Sequence, residues 1–138
     1  MTFLHEISLL KRFLDKYYPW IMNDTYEMAI AEKYFALAND RELDLIPDML
    51  ADDIIYSSDT TGVYFGRAEA MEMMRKFFTS FPYLYWHINS IELVKEAVVE
   101  IYFTLKMRDK NGDETEKKGV ERIIVSESCI KYIEVRNL

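Results

Sequence analysis

The sequence predicts an α+β fold in which helices come first and a sheet of long antiparallel strands follows. Three observations carry this. Before Pro82 apolar residues recur at helical spacing; after it the period shortens to that of strands; and an Asn-Gly pair, Asn111-Gly112, separates two long strand-like runs. No internal repeat, low-complexity tract or Gly/Ser linker divides the chain, so residues 1–138 are expected to form one domain.

Phe3, Ile7, Leu10, Leu14 and Tyr17 form one helical stripe. Pro19 should stop this first helix near Tyr18 by disfavouring helical geometry in the residue before it. A second helix is expected from about Asp24, with Glu27 as an approximate capping partner and Tyr26, Ile30, Tyr34 and Leu37 on its inner face. "NDRELDLIPDML" reads as a turn and a short helix interrupted or ended by Pro47. Strands follow at about 53–57 and 63–65, then a helix from Arg67 to about Thr79 bearing Met71, Met74, Phe77 and Phe78. Four strand-like runs close the sequence, at roughly 83–94, 97–108, 115–126 and 129–136.

Composition removes several classes of function. Seventeen basic residues stand against 24 acidic ones, a net charge of −7, and the densest basic stretch, Lys106 to Lys118, is interleaved with acids. Nucleic acid needs a clustered basic face and is not an expected partner. No window approaches the roughly 20 apolar residues of a membrane span, and the N-terminus lacks the pattern of a signal peptide, so a cytoplasmic protein without membrane attachment is expected. The lone Cys129 excludes an internal disulfide and reads as a structural thiol. Two separated histidines and scattered acids give no metal spacing, and with four glycines there is no phosphate loop; no cofactor is called for. The abundance of Tyr (10), Phe (8) and Met (8) points to a core or cavity walled by large, adaptable side chains.

The run from "AEKYFALANDRELDLIPDMLADDIIYSS" to "GVYFGRAEAM" resembles the SnoaL-like and ketosteroid-isomerase-like branch of the nuclear transport factor 2-like superfamily. A Tyr-bearing helix, an acidic turn, a strand leading into Gly-Arg and a helix, and long strands with an Asn-Gly hairpin appear in the order and spacing of that branch. The likeness covers about residues 24–138, leaving residues 1–20 as an added N-terminal helix. It implies a cone-shaped, cystatin-like arrangement, a curved antiparallel sheet wrapped around the helices and a deep, mainly apolar pocket. Family members are often homodimers through the outer sheet face, and a homodimer is expected here.

By position, the resemblance makes Tyr34 the counterpart of the isomerases' oxyanion-binding Tyr. Glu121 matches their protonated acid, where the isomerase pattern has Asp. The general base falls on Ser58, whose hydroxyl stays protonated without a basic neighbour; Asp59, one residue on, is the remaining acid and reads better as a turn residue. The expected pocket lining is Leu37, Tyr56, Phe65, Phe77, Trp86, Ile88, Tyr102, Thr104 and Ile133, around the candidate catalytic residues Tyr34, Glu121 and Asp59. Arg67 is read as structural, and His87 as lying outside the pocket with Tyr85 and Asn89.

A tight two-residue turn at Asn111-Gly112 sets Tyr102 opposite Glu121 and Thr104 opposite Gly119. Alternation alone then points the apolar Val99–Met107 face at the helices, whereas the family pattern puts Tyr102, Thr104 and Glu121 in the pocket and the apolar face at a dimer contact. The family placement is adopted, and a one-residue bulge would exchange the faces beyond it. Three functions stay open: capture of a small apolar organic ligand without turnover, an acid–base isomerase, dehydratase or cyclase step, and a dimerising interaction module.

Overall fold

A computed structural model of the protein describes residues 23–138 and, before them, Glu6, Leu9, Leu10, Arg12, Phe13 and Lys16. Those six residues are helical and exposed. The rest of the expected first helix, including Phe3, Ile7, Leu14 and Tyr17, its Pro19 stop and the Asp24 cap side chain lie outside the described residues. From residue 23 the chain runs through α1 (Asn23–Asn39), a short 3-10 helix (Ile46–Met49), β1 (Leu50–Ser58), β2 (Gly62–Phe65), α2 (Arg67–Ser80), β3 (Tyr83–Lys95), β4 (Val98–Arg108), β5 (Glu114–Ser126) and β6 (Cys129–Asn137). The strand limits depart from the sequence expectation by at most three residues. The fold is α+β, and its six strands form one open sheet in the order β2-β1-β6-β5-β4-β3.

Every neighbouring pair is antiparallel except β1 and β6, which run parallel. The purely antiparallel sheet of the sequence reading is therefore a mixed one. The cause is connectivity: β6 returns to lie between β5 and β1 rather than at an edge. Register shifts interrupt β3 at Ile88/Ser90 and Leu93/Lys95, and β5 at Ile124/Val125. Such bulges bend a strand and increase its twist. The first of them moves the inward set of β3 from Leu84, Trp86 and Ile88 to Ile91 and Leu93.

Helix α1 buries Tyr26, Ile30, Tyr34 and Leu37, and also Ala31, Phe35 and Ala38, so it is covered on most of its circumference. It ends in a Schellman-type cap. The Glu42 N–H donates to the Leu37 carbonyl at 2.9 Å and the Arg41 N–H to that of Ala38 at 3.1 Å, with Arg41 in the left-handed region at φ 58. The Arg41 guanidinium then donates to the Phe78 and Phe81 carbonyls at 2.6 and 3.1 Å, tying the ends of α1 and α2 together. At the start of α2, Gly66 adopts φ 92 and donates to the Ile54 carbonyl at 2.7 Å. Arg67 donates to the Leu50 carbonyl and pairs with Asp52, a structural role of the kind expected for it.

The β4–β5 hairpin departs from the expected tight turn. Asp109, in place of Lys110, pairs with Asp113, through Asp109 N–H to Asp113 O at 3.0 Å, around a three-residue loop in which Gly112 has φ 86. The Asp109 carboxylate accepts from the Asn111 and Asp113 N–H groups at 2.9 and 3.0 Å. This is the three-residue hairpin in which a left-handed glycine adds one residue to one strand. It shifts the register by one: Tyr102 faces Val120, Thr104 faces Lys118, and Glu121 faces Ile101. A one-residue shift carries every β5 side chain to the other face of the sheet.

The apolar face of β4 consequently packs on the helices. Val99, Ile101, Phe103, Leu105 and Met107 are all buried there, next to Ile123 and Glu121 of β5. The outer face carries Tyr102, exposed, and charged pairs such as Arg122 with Glu100 at 2.9 Å. This corrects the adopted assignment of faces. The bare apolar outer face that called for a dimer partner is the inner wall of the core.

Candidate functional site

Helices and sheet leave a cavity of about 90 Å³ between them. One water needs roughly 10–15 Å³ of such space, so the hollow admits a group of several heavy atoms. Tyr34 and Phe35 of α1 form one wall, and Met73, Met74, Phe77 and Phe78 of α2 another. Tyr56 and Ser58 of β1, Trp86 of β3, Phe103, Leu105 and Met107 of β4 and Glu121 of β5 complete the interior. Thr60, Thr61, Lys117, Lys118 and Asn137 also line it; four of these five are exposed, which makes this end its mouth.

Several walls are held by specific contacts. The Asn39 side-chain amide grips the Trp86 backbone from both sides, donating to its carbonyl at 3.0 Å and accepting its N–H at 2.8 Å. Trp86 then stacks on Phe78 at 5.7 Å between centroids. On the opposite side the Phe103 ring lies over Gly119, where a Cβ would come within 2.5 Å of the ring. Glycine at 119 thus leaves the space that Phe103 fills, one inward position from Glu121.

Glu121 is the chemically distinctive group. It is 4% exposed, and its Oε2 has no hydrogen-bond partner among the described residues. Its sequence neighbour Arg122 points outward to Glu100 and Glu134, so the adjacent cation does not reach it. Desolvation pushes the Glu121 carboxyl up to about 8, which keeps it largely protonated near neutral pH. The Tyr34 and Tyr56 phenols are likewise raised, first by burial; Glu121 raises both further by its charge, so the three groups share one electrostatic environment. At neutral pH the interior therefore offers the O–H groups of Glu121, Tyr34 and Tyr56, and the lysines stand at the mouth.

A SnoaL-like domain model matches residues 31–128. The chain belongs to the SnoaL-like domain family. Solved structures with the fold of the nuclear transport factor 2-like superfamily match it along most of their length. An LEH-like epoxide hydrolase from M. tuberculosis aligns at 14% identity with TM-score 0.75, covering 85% of this chain and 86% of that one. An ntf2-like protein of unknown function from Burkholderia pseudomallei aligns at 14% identity with TM-score 0.73, over 81% of this chain and 90% of that one. An epoxide hydrolase/cyclase-like enzyme of pyran-ring formation in the polyether salinomycin aligns at 18% identity with TM-score 0.74, over 83% and 92%. Among curated proteins none matches the sequence.

In this SnoaL-like domain the structure brings Tyr34, Glu121, Tyr56, Phe77 and Trp86 together on the cavity wall. The other expected lining residues lie elsewhere. Leu37 and Ile133 are core residues off the wall, and Ile88 packs partly buried against the core. Phe65, at the sheet edge, is 64% exposed. Tyr102 and Thr104 lie on the outer face, where Thr104 accepts from Asn89 at 2.9 Å. The hairpin register moved both away when it brought Glu121 in.

Asp59 is held off the wall: its carboxylate accepts the Asn137 N–H at 3.0 Å and lies 3.6 Å from Arg136 Nε. Ser58 does face the cavity, but its Oγ accepts the Thr60 and Thr61 N–H groups at 3.1 and 3.4 Å, closing a turn. His87 is exposed on the outer strand surface. Wall residues that the sequence reading left out, Phe103, Leu105 and Met107, stood in plain alternation on β4, and that alternation was the signal for them. Among the described residues no helix is long and apolar enough to cross a membrane. No three His, Cys, Asp or Glu side chains among them converge on a metal position.

Proposed function

We propose that this SnoaL-like domain captures a small, mainly apolar organic molecule through an oxygen atom that accepts a hydrogen bond from Glu121. The observation that carries this is the buried Glu121 carboxyl with its unpartnered Oε2 on a cavity wall otherwise made of rings and aliphatic side chains. A buried polar group without a partner costs roughly 1–3 kcal/mol, and a ligand oxygen recovers that cost. Tyr34 and Tyr56 supply further donors beside it. A pocket of this composition, apolar with a few convergent polar groups, suits organic ligands.

Capture without turnover is the first reading because, among the described residues, the two candidates for a base are otherwise engaged. Ser58 is engaged in its turn and Asp59 is paired with Arg136. The test is calorimetric titration with cyclohexanone and with its isostere methylenecyclohexane. The ketone is expected to bind more tightly, and Glu121→Leu is expected to abolish the difference. Equal binding of both compounds to the native protein would refute the role given to Glu121.

Acid–base catalysis, an isomerase, dehydratase or cyclase step, is the second reading. It is favoured by the convergence of Tyr34 and Glu121, with a water at the mouth as the base in place of Asp59. Turnover lost in both Tyr34→Phe and Glu121→Gln would establish it. A homodimer across the outer face, where Tyr85 and Tyr102 are exposed, belongs to the same proposal and is checked by sedimentation equilibrium. So does a reducing, cytoplasmic setting, supported by the lone free Cys129.

A further inference from the structure

The mouth of the cavity has a chemistry opposite to that of its depth. Lys117 and Lys118 stand there, and neither forms an ion pair among the described residues. The acids of the neighbouring strand ends are already engaged, Asp59 and Glu134 both lying on Arg136 at 3.6 and 3.4 Å. Lys118 pairs with Thr104 on the outer side of the sheet, so Lys117 is the lysine whose side chain faces the opening. Thr61, on the same rim, has a buried Oγ1 without a hydrogen-bond partner. The mouth thus offers an ammonium group and a hydroxyl.

The two ends are connected by geometry. Lys117 lies on the inward side of β5, the side of Glu121, four residues away along an extended strand. That spacing is about 13 Å between backbones. Leu105, Met107 and Phe77 line the interval.

We propose that the ligand is an oxo acid: an apolar chain whose carboxylate is met by Lys117 at the mouth while its carbonyl oxygen reaches Glu121. This rests on the reading of the cavity as a ligand site and adds the class of ligand. A carboxylate fits better than a phosphate. One flexible ammonium group and a hydroxyl match a single negative charge, whereas guanidinium forks or runs of backbone N–H groups suit the several oxygens of a phosphate.

The experiment is calorimetry at pH 7 and low ionic strength with three probes, 7-oxooctanoate, its methyl ester and octanoate. The probes are titrated into the native protein and into Lys117→Met. The oxo acid is expected to bind at least about fivefold more tightly than the ester. This advantage should fall to about one in the variant, and in about 0.5 M salt, where charges beyond a few ångströms are screened. Octanoate, without the ketone, should bind more weakly than the oxo acid by a similar factor in both proteins. Ester binding as tight as acid binding, or an acid advantage that survives loss of Lys117, overturns the inference and leaves the cavity a ligand site. Failure of all three probes to bind overturns both.

Discussion

Glu121 pairs with Ile101 across the β4–β5 hairpin, one position from the Tyr102 partner that a two-residue Asn111-Gly112 turn would give it. For the sequence as it stands, closing the hairpin at Asp109–Asp113 rather than at Lys110–Asp113 sets which face of the sheet holds the acid. Deleting Lys110 leaves Asn111-Gly112 as a two-residue loop between the same pair, Asp109 and Asp113. The shortened hairpin is expected to keep the native register, with a melting temperature within about 5 °C of the parent. Thermal denaturation and amide exchange of β5 check this; exposure of Glu121 or collapse of the fold would show that the longer loop is required.

The Glu121 carboxyl gives stability a distinctive dependence on pH. In the unfolded chain it ionises near its ordinary 4.5, and in the folded protein near about 8. Between those values the unfolded state has lost a proton that the native state keeps. Stability therefore falls as pH rises through this window, by up to about 1.4 kcal/mol per pH unit, and levels off above it. Glu121→Gln removes the titration. Urea denaturation from pH 5 to 9 is expected to show a flatter curve for the variant, which becomes the more stable protein at the alkaline end. Parallel curves would mean that the carboxyl is solvated.

Ligand binding should follow the same proton. A neutral ketone accepts a hydrogen bond from the protonated acid and not from the carboxylate, so its affinity is expected to decline as pH passes about 8. In Glu121→Gln, whose amide donates at every pH, the decline should disappear. Calorimetric titration with cyclohexanone across pH 6–9.5 measures both.

Gly119→Ala introduces a Cβ within 2.5 Å of Phe103 Cζ and 3.0 Å of the Arg136 carbonyl oxygen. Displacing a packed ring costs about 1–3 kcal/mol. Since Phe103 is also cavity wall, ligand affinity should change with stability. Shortening the ring, as Phe103→Leu, is expected to make the second substitution less damaging than in the native background. A double-mutant cycle by denaturation gives the coupling, and simple additivity would separate the two residues.

Asn39→Ala removes both hydrogen bonds that hold the Trp86 backbone. The expected loss is about 1–3 kcal/mol, together with weaker ligand binding, because Trp86 stacks on Phe78 within the cavity wall. Chemical denaturation and calorimetry read the two effects; native stability and affinity in the variant would assign the grip no positioning role.

Much of this architecture is legible in the sequence because its signals are local. Pro82 marks the change of period, and Gly66-Arg67 marks the strand-to-helix junction. The order of motifs carried Tyr34 and Glu121 to one cavity. What escapes is non-local. The parallel pairing of β6 with β1 has no signature in either segment. Phe65 reads as an interior residue by its hydrophobicity, yet β2 is a four-residue edge strand and turns it to solvent. The misplacement of Tyr102 and Thr104 has a single origin, the length of one turn, since a period-two element converts a one-residue error into a reversal of inside and outside. Plain alternation on β4 gives the polarity that its two faces have.

The position of β6 between β1 and β5 also bears on the order of folding. Without β6 the remaining strands make two separate sheet fragments, β2 with β1 and the β3–β5 meander, with a strand-wide gap between them. The hollow acquires its closing wall when the nine residues of β6 slot into that gap, pairing on both sides at once. Glu121 pairs with Val135 of this strand, so its docking and the burial of the acid are the same event.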